Sequence, residues 1–143
     1  MSKKQNKKFK ISAPKLFPQS DGIMADVFAD KTPWFSHRFI CQNAFCIKKC
    51  NFDQIKNLVD KIRVLSSLEW KAIESSPRET HGFEMIPVKQ VKGSIPPKFS
   101  DLKAIWVFRF GSGNKGGRIA GARKGNNFHI LFIDHNYKLY DHG

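Results

Sequence analysis

Residue types suited to cutting an RNA chain occur in the second half of the sequence: a glutamate at Glu84, an arginine at Arg118 and a histidine at His142. Acid–base cleavage of a phosphodiester needs a base for the 2′-hydroxyl, a cation for the developing negative charge and an acid for the leaving 5′-oxygen. Glutamate, arginine and histidine can supply these functions in that order. The sequence therefore predicts general acid–base chemistry, on the condition that the fold brings the three side chains together.

Other kinds of catalytic site find no support in the sequence. It has no Gly-x-Ser-x-Gly nucleophile motif and no P-loop, and the glycine-rich stretch 111–117 lacks the P-loop spacing. Cys41, Cys46 and Cys50 are spaced Cys-x4-Cys-x3-Cys, whereas zinc sites usually have four ligands in paired units. We therefore expect reduced thiols, no metal and no cofactor.

Positive charge dominates the composition. The 143 residues include 25 Lys and Arg against 12 Asp and Glu, a formal net charge of +13. A small domain this basic usually meets polyanions, so we expect RNA or the ribosome as a partner. The first ten residues contain five lysines and no acidic residue. Residues 1–30 are therefore predicted to be a basic, flexible arm that can grip phosphates without sequence preference.

Basic residues are concentrated in the segment 116–134, which alternates like two strands joined by a turn. Strand alternation places Arg118 and two alanines on one face and Arg123 on the other. The small residues predict a shelf between the two arginines, open to a phosphate or filled by a large side chain from a helix.

Glu84 could pair with Arg109 on a neighbouring strand rather than act in catalysis. The residues expected to contact nucleic acid are Arg109, Lys115, Arg123, Lys124 and His129, although His129 could equally be a hydrogen-bonded core or rim histidine.

The segment from Asn51 to Leu65 predicts the main helix. Asn51 is a good N-cap with Gln54 at the third helical position, a pair that resembles a capping box. Apolar residues then recur at spacings of three and four up to Leu65. Ser67 is expected to cap a second, shorter helix from Leu68 to about residue 74.

Alternating and β-branched patterns predict the strands, and "KGNN" at 124–127 predicts a hairpin turn. In the last strand the alternation sets Phe128, Ile130 and Phe132 against His129, Leu131 and Ile133. The fold class that follows is α+β: two helices packed on an antiparallel β-sheet, with an extra N-terminal strand region, in one domain over residues 31–143. The predicted strands are 34–41, 44–48, 83–88, 104–110, 118–123 and 127–134.

From about residue 52 to residue 143, the chain resembles the RelE/ParE superfamily of bacterial toxins, most closely the YoeB-type messenger-RNA endoribonucleases. The resemblance is carried by short motifs: "HGFEM" with Gly82 and Glu84, "GGRIAG" with Arg118, "NNFHILFI" with His129, and "LYDHG" with Tyr140 and His142. The family pairs two helices with a small antiparallel sheet, so the resemblance implies a RelE-like fold.

The same resemblance implies catalytic roles for four residues. Glu84 would act as the base and Arg118 would hold the phosphate, while Tyr140 and His142 would orient or protonate the leaving group. The resemblance further implies a toxin–antitoxin system, in which an acidic antitoxin-like protein covers the groove. We therefore expect an endoribonuclease that cleaves messenger RNA without a metal.

Two alternatives stay open at the level of sequence. The C-terminal residues 128–143 also resemble small uncharacterised proteins of bacterial mobile elements, which favours a non-catalytic, nucleic-acid-binding accessory protein. The same basic surface would suit an interaction module for an acidic protein partner. No secretory signal and no apolar run of membrane-spanning length are apparent, so we expect a cytoplasmic protein with no membrane contact.

Overall fold

Two helices and five strands make up the part of the chain that the computed structural model describes, residues 31–142. The predicted flexible arm over residues 1–30 lies outside the described residues. Neither helix within them combines the length and the apolar character needed to cross a membrane. In chain order the elements are β1 (Trp34–Ser36), α1 (Phe52–Ser66), α2 (Trp70–Ser75), β2 (Phe83–Pro87), β3 (Ala104–Phe110), β4 (Gly117–Lys124) and β5 (Asn127–Asp134).

The five strands form one mixed sheet in the order β1-β5-β4-β3-β2. The predicted α+β class is confirmed, and β2 to β5 pair antiparallel in sequence order, which includes the predicted meander. The expectation of a wholly antiparallel sheet is wrong at one edge, because β1 pairs parallel to β5. A strand's direction relative to a partner about ninety residues away depends on the path of the chain between them, and local alternation carries no information about that path.

The N-terminus of α1 is held by the predicted capping box. The Asn51 side-chain oxygen accepts a hydrogen bond from the Gln54 backbone N–H at 2.8 Å, and the Gln54 side chain accepts one from the Asn51 N–H at 2.8 Å. The role predicted for Ser67 is wrong: it ends α1, and its hydroxyl donates to the Val64 carbonyl at 2.6 Å. Glu69 precedes α2 instead, without a side-chain capping bond.

The segment between β1 and α1 is less regular than predicted. The expected strand 34–41 ends at Ser36, and the expected strand 44–48 is absent, since residues 47–49 form a single 3-10 turn. The chain nevertheless follows the edge of β5, where the Cys41 N–H donates to the Leu131 carbonyl at 2.7 Å. The thiols of Cys41, Cys46 and Cys50 are free.

Each face of the sheet carries its own buried cluster. The helices cover one face, with Leu58, Leu65 and Trp70 packed in a cluster with the inward side chains of β3, β4 and β5. The other face is covered by the loop after β2 and by the C-terminal segment, through Phe99 and Leu139. The predicted shelf of small residues on β4 is therefore filled by loop side chains rather than by a helix or a ligand.

A β-bulge in β5 decides which side chains reach each cluster. Ala120 pairs with Phe132 and Gly121 with Ile130, so Leu131 has no residue opposite it on β4. As a result Phe132 and Ile133 exchange the faces predicted for them, and Ile133 joins the helix-side cluster. A Cβ atom on Gly121 would lie 2.0 Å from the His129 carbonyl oxygen, so only glycine allows this approach.

Candidate acid–base and phosphate site

Three adjacent strands direct charged side chains to the sheet face opposite the helices, at the end where β3 finishes and β4 begins. Glu84 of β2 is paired with Val107, and Arg109 of β3 is paired with Arg118 of β4. Residues directly opposite in an antiparallel pair share a face, as do residues two apart in one strand. The sheet therefore brings Glu84, Arg109 and Arg118 to one surface, although they are far apart in sequence.

The C-terminal segment completes this surface with Tyr140. Its hydroxyl donates a hydrogen bond to Glu84 Oε1 at 2.8 Å, and the ring of His142 lies 4.3 Å from the Tyr140 ring, centroid to centroid. The sequence left open an ion pair between Glu84 and Arg109, but the structure does not contain it. Its other oxygen forms an ion pair with Arg78 at 3.2 Å, and its side chain is only 18% exposed.

The environment of Tyr140 keeps its hydroxyl protonated. Burial, the hydrogen bond to Glu84 and the negative charge of that carboxylate raise the pKa of Tyr140 to about 12, although the nearby Arg118 acts in the opposite direction. Near neutral pH the phenol is therefore neutral and donates to the carboxylate. The pair is a proton donor held against a proton acceptor.

Two arginines beside this pair have no carboxylate at ion-pair distance among the described residues, although the charge of Arg109 still acts on Glu79 from farther away. Arg109 and Arg118 lie directly opposite each other across β3 and β4, an arrangement of like charges that destabilises a sheet. Neither forms an ion pair within residues 31–142, and the Nε atoms of both are buried without a hydrogen-bond partner there. Asp134, opposite Arg118 on β5, instead accepts the backbone N–H groups of residues 138 and 139 at 2.9 and 3.2 Å. An anion would complete the arginine pair.

Two cavities meet at Arg109. The smaller, of about 360 Å³, is lined by Glu84, Arg109, Tyr140 and His142 together with Arg78. The larger, of about 550 Å³, is lined by Lys61, Glu79, Thr80, Arg109, Phe110, Gly111, Ser112, Gly113, Arg118 and Tyr137. Because Arg109 lines both cavities, an extended ligand can occupy one while its phosphate contacts the arginine pair.

The larger cavity is walled by the glycine-rich loop between β3 and β4, which three amide side chains fix to α1. Asn51 donates to the Asn114 carbonyl at 2.8 Å, Gln54 to the Gly116 carbonyl at 3.0 Å and Asn57 to the Lys115 carbonyl at 2.8 Å. These three hydrogen bonds hold the loop carbonyls in place, which gives the cavity a defined wall.

The perturbed tyrosine gives a direct optical test. The chain contains only two tyrosines, Tyr137 and Tyr140. We expect an absorbance titration of phenolate formation to contain a component near pH 12, and the variant Tyr140→Phe to lose that component. In Glu84→Gln the same component should move to lower pH, because a hydrogen-bonded negative charge is removed, but stay above the value of a free tyrosine, because burial is the largest cause. A titration unchanged by Tyr140→Phe would contradict this assignment.

The remaining residues predicted to contact nucleic acid are distributed over several surfaces. Arg123 lies on the helix face, where it forms an ion pair with Glu74 and sits 4.1 Å from the centre of the Trp70 ring. Lys115 lies in the turn at the end of the glycine-rich loop. Lys124 and His129 are on the same face as Arg118 but at the opposite end of β4. No shelf joins the two arginines, since Arg118 and Arg123 face opposite sides of the sheet.

Sequence reasoning missed three residues of the site. Arg78 lies in the loop before β2, Lys61 is on the outer face of α1, and Tyr137 lies under the Arg118 guanidinium at 4.9 Å from ring centre to Cζ. Burial lowers the pKa of Lys61, whose ammonium donates to the Thr80 carbonyl. The one signal available for Tyr137 was its position three residues before Tyr140. For loop residues such as Arg78, no sequence periodicity indicates the direction of the side chain.

No protein-family model, curated protein or solved structure matches this chain. The geometry of the site is therefore the basis for assigning a function.

Proposed function

We propose that this protein is a RelE/YoeB-like endoribonuclease that cleaves messenger RNA by acid–base chemistry at the surface formed by Glu84, Arg118 and Tyr140. One observation carries the proposal: a neutral tyrosine donates a hydrogen bond to a largely buried carboxylate beside two arginines that form no ion pair within residues 31–142. A base, an acid and a phosphate-binding cation within one groove are the set that phosphodiester cleavage requires. The resemblance of residues 52–143 to the toxin family supports the same fold and function.

The first half of the proposed reaction takes place at Glu84. Its carboxylate accepts the proton of the substrate 2′-hydroxyl, whose oxygen attacks the adjacent phosphorus. The bond from phosphorus to the 5′-oxygen then breaks and leaves a 2′,3′-cyclic phosphate. The hydrogen bond from Tyr140 and the ion pair with Arg78 hold the carboxylate in place, and each carboxylate oxygen keeps a further lone pair for the substrate.

The second half requires charge stabilisation and a proton for the leaving group. Arg109 and Arg118 would hold the non-bridging oxygens of the phosphate, where negative charge grows in the transition state. Tyr140 would protonate the leaving 5′-oxygen, with His142 orienting the group. Because Tyr140 is hydrogen-bonded to Glu84, the proton taken from the 2′-hydroxyl can return to the phenolate through that bond. This proton transfer would return Glu84 to the carboxylate and Tyr140 to the phenol after each turnover.

The partners follow from the charge and from the family resemblance. Messenger RNA, free or on the ribosome, would enter the groove, and an acidic antitoxin-like protein would cover it. Both would meet a chain with a formal net charge of +13. The proposed site of action is the cytoplasm, where messenger RNA and ribosomes are found.

Mapping the ends of cleaved RNA tests this function. Purified protein is incubated with RNA in EDTA, with and without ribosomes, and we expect cuts that leave 2′,3′-cyclic phosphate and 5′-hydroxyl ends. Arg118→Ala should lower the rate by about 10²–10³-fold, since it removes a cation from the transition state. Arg63→Ala is the matched control, because within residues 31–142 the ion pair of Arg63 is with Asp60, on the exposed surface of α1. Equal cutting by Arg118→Ala, or no cutting by the unmodified protein, would contradict the proposal.

A second function, non-catalytic nucleic-acid binding, is favoured by cations at the other end of the same sheet face, which form no ion pair among the described residues. It predicts salt-sensitive binding of RNA without cuts in either condition. Absence of both cutting and binding would leave an interaction module for an acidic protein as the remaining interpretation.

A further inference from the structure

A second cluster of cations lies far from Glu84 and takes no part in the proposed chemistry. We call it the Phe39 patch, and it consists of Arg38, Phe39, Lys98, Lys124 and His129. Within it the Arg38 guanidinium is 5.3 Å and the Lys98 ammonium 5.2 Å from the centre of the Phe39 ring. The imidazole of His129 is 5.9 Å from the same ring. Three separate parts of the chain therefore converge on one aromatic side chain.

The charges of this patch are positioned but not neutralised. Within residues 31–142, its two lysines and its arginine form no ion pair with a carboxylate. Aromatic rings hold them instead, since Lys124 also lies 4.8 Å from the centre of the Phe99 ring. An aromatic ring attracts a cation without cancelling its charge, whereas a carboxylate would cancel it. The patch therefore presents three positive charges that no carboxylate within residues 31–142 neutralises.

His129 adds a group that responds to an anion. Its Nδ1 atom is buried without a hydrogen-bond partner among the described residues. Burial, followed by the positive charges of Lys124 and Lys98, lowers the pKa of His129, so the imidazole is neutral near neutral pH. An anion bound between the lysines would offset the part of that lowering which comes from their charges, whereas the larger part, from burial, would remain.

The patch lies in line with the proposed active site. Arg118 and Lys124 begin and end the same face of β4, six residues apart, which corresponds to about 20 Å along a strand. We propose that the Phe39 patch is a second binding site for the phosphates of the RNA strand that is cut at Glu84. This inference rests on the proposed RNA substrate and adds the path by which the strand crosses the protein.

Single-stranded RNA fits this surface better than an acidic protein does. The patch combines cations with a partly exposed aromatic ring, the pairing by which single strands are held through phosphates and stacked bases. It also belongs to the same face of the sheet as Arg109 and Arg118, at the opposite end of β4. A strand that spans both sites must be several nucleotides long, so its length becomes an experimental variable.

Binding of labelled RNA, followed by fluorescence anisotropy in the Glu84→Gln background, tests the second site without cutting the probe. We expect the double variant Lys98→Gln/Lys124→Gln to lose about tenfold or more in affinity for an RNA of about 12 nucleotides. The slope of log affinity against log salt should fall by about 1.4, since two phosphate contacts are lost. Affinity for a trinucleotide, which cannot span both sites, should not depend on the patch.

The matched control is Lys56→Gln/Lys71→Gln. It removes the same charge from the helix side of the sheet, and Lys56 also lies over an aromatic ring, that of Phe52, at 5.5 Å. Equal losses in the two double variants would overturn the second site, because only net charge would then matter. Competition by polyglutamate as effective as competition by RNA would also overturn it, in favour of an acidic protein partner. Patch-dependent binding by a chain that never cuts RNA would support the site and refute only the proposed catalysis.

The pH dependence of RNA affinity is an independent test of the role of His129. A phosphate favours the imidazolium, so it raises the pKa of His129 and binding takes up a proton. Affinity for the longer RNA should therefore increase as the pH falls from about 7.5 to about 5.5, and His129→Asn should reduce that increase. The charged groups around His129 are Lys98 from the 97–99 turn, Lys124 from β4 and Arg38 across the Phe39 ring. An identical pH dependence in His129→Asn would exclude His129 from the site.

Discussion

The variant Glu84→Gln is expected to lower the rate of RNA cleavage by about 10²–10⁴-fold, the usual contribution of a general base. The amide cannot take a proton from the 2′-hydroxyl, but its oxygen can still accept the hydrogen bond from Tyr140. The surrounding structure should therefore persist. Affinity for RNA should stay the same or increase, since a negative charge leaves the cavity that Arg109 also lines, next to Arg118 on the neighbouring strand. Single-turnover cleavage and anisotropy measure the two effects separately.

Glu79→Gln is the control for this experiment. Glu79 also pairs with Arg78, at 3.1 Å, so the substitution removes one carboxylate from the same arginine. Glu79 lines the larger cavity instead of contacting Tyr140. We expect its cleavage rate to stay within a few-fold of the unmodified protein. Full activity in Glu84→Gln, or equal losses in both variants, would remove Glu84 from the role of base.

The largest effect on stability is expected for Phe108→Ala, at about 3–5 kcal/mol of the free energy of unfolding. The Phe108 side chain is fully buried, with ring centres at 5.3 Å from Phe128 and 6.5 Å from Trp70. Its removal leaves a cavity between β3, β5 and the start of α2, where neighbouring rings can collapse only in part. Urea unfolding followed by tryptophan fluorescence gives the free energies.

The same substitution at Phe52 separates burial from residue type. Phe52 is 75% exposed at the start of α1, so Phe52→Ala should change the free energy of unfolding by no more than about 0.5 kcal/mol. Similar losses at the two positions would mean that the described packing of β3 against the helices is incorrect.

Local chemistry made several elements predictable from the sequence. The capping box at Asn51 and Gln54 involves residues three apart, and the structure has both of its hydrogen bonds. Strands β3 and β5 have the predicted bounds, because runs of β-branched and aromatic residues between turns are local signals as well. Such features need no knowledge of the rest of the chain.

Features that depend on distant parts of the chain were not predictable in this way. The parallel pairing of β1 with β5 and the bulge opposite Gly121 are set by register between strands. The bulge reverses the facing of Phe132 and Ile133 without any change in the hydrophobic pattern. For the site, residue types suggested Glu84, Arg118 and His142, and the family resemblance added Tyr140. The sequence did not indicate Arg78 as the partner of Glu84, because the direction of its side chain depends on the conformation of a loop.

The buried side chain of Gln54 links parts of the protein that would otherwise open independently. Besides completing the helix cap, its amide donates to the carbonyls of Gly116 and His135, at 3.0 and 2.7 Å. Release of the glycine-rich loop therefore costs the first turn of α1 a stabilising contact, and fraying of that turn loosens the loop. The cavity wall and the helix terminus are therefore coupled through one side chain, and displacement of the wall is expected to weaken the cap of α1.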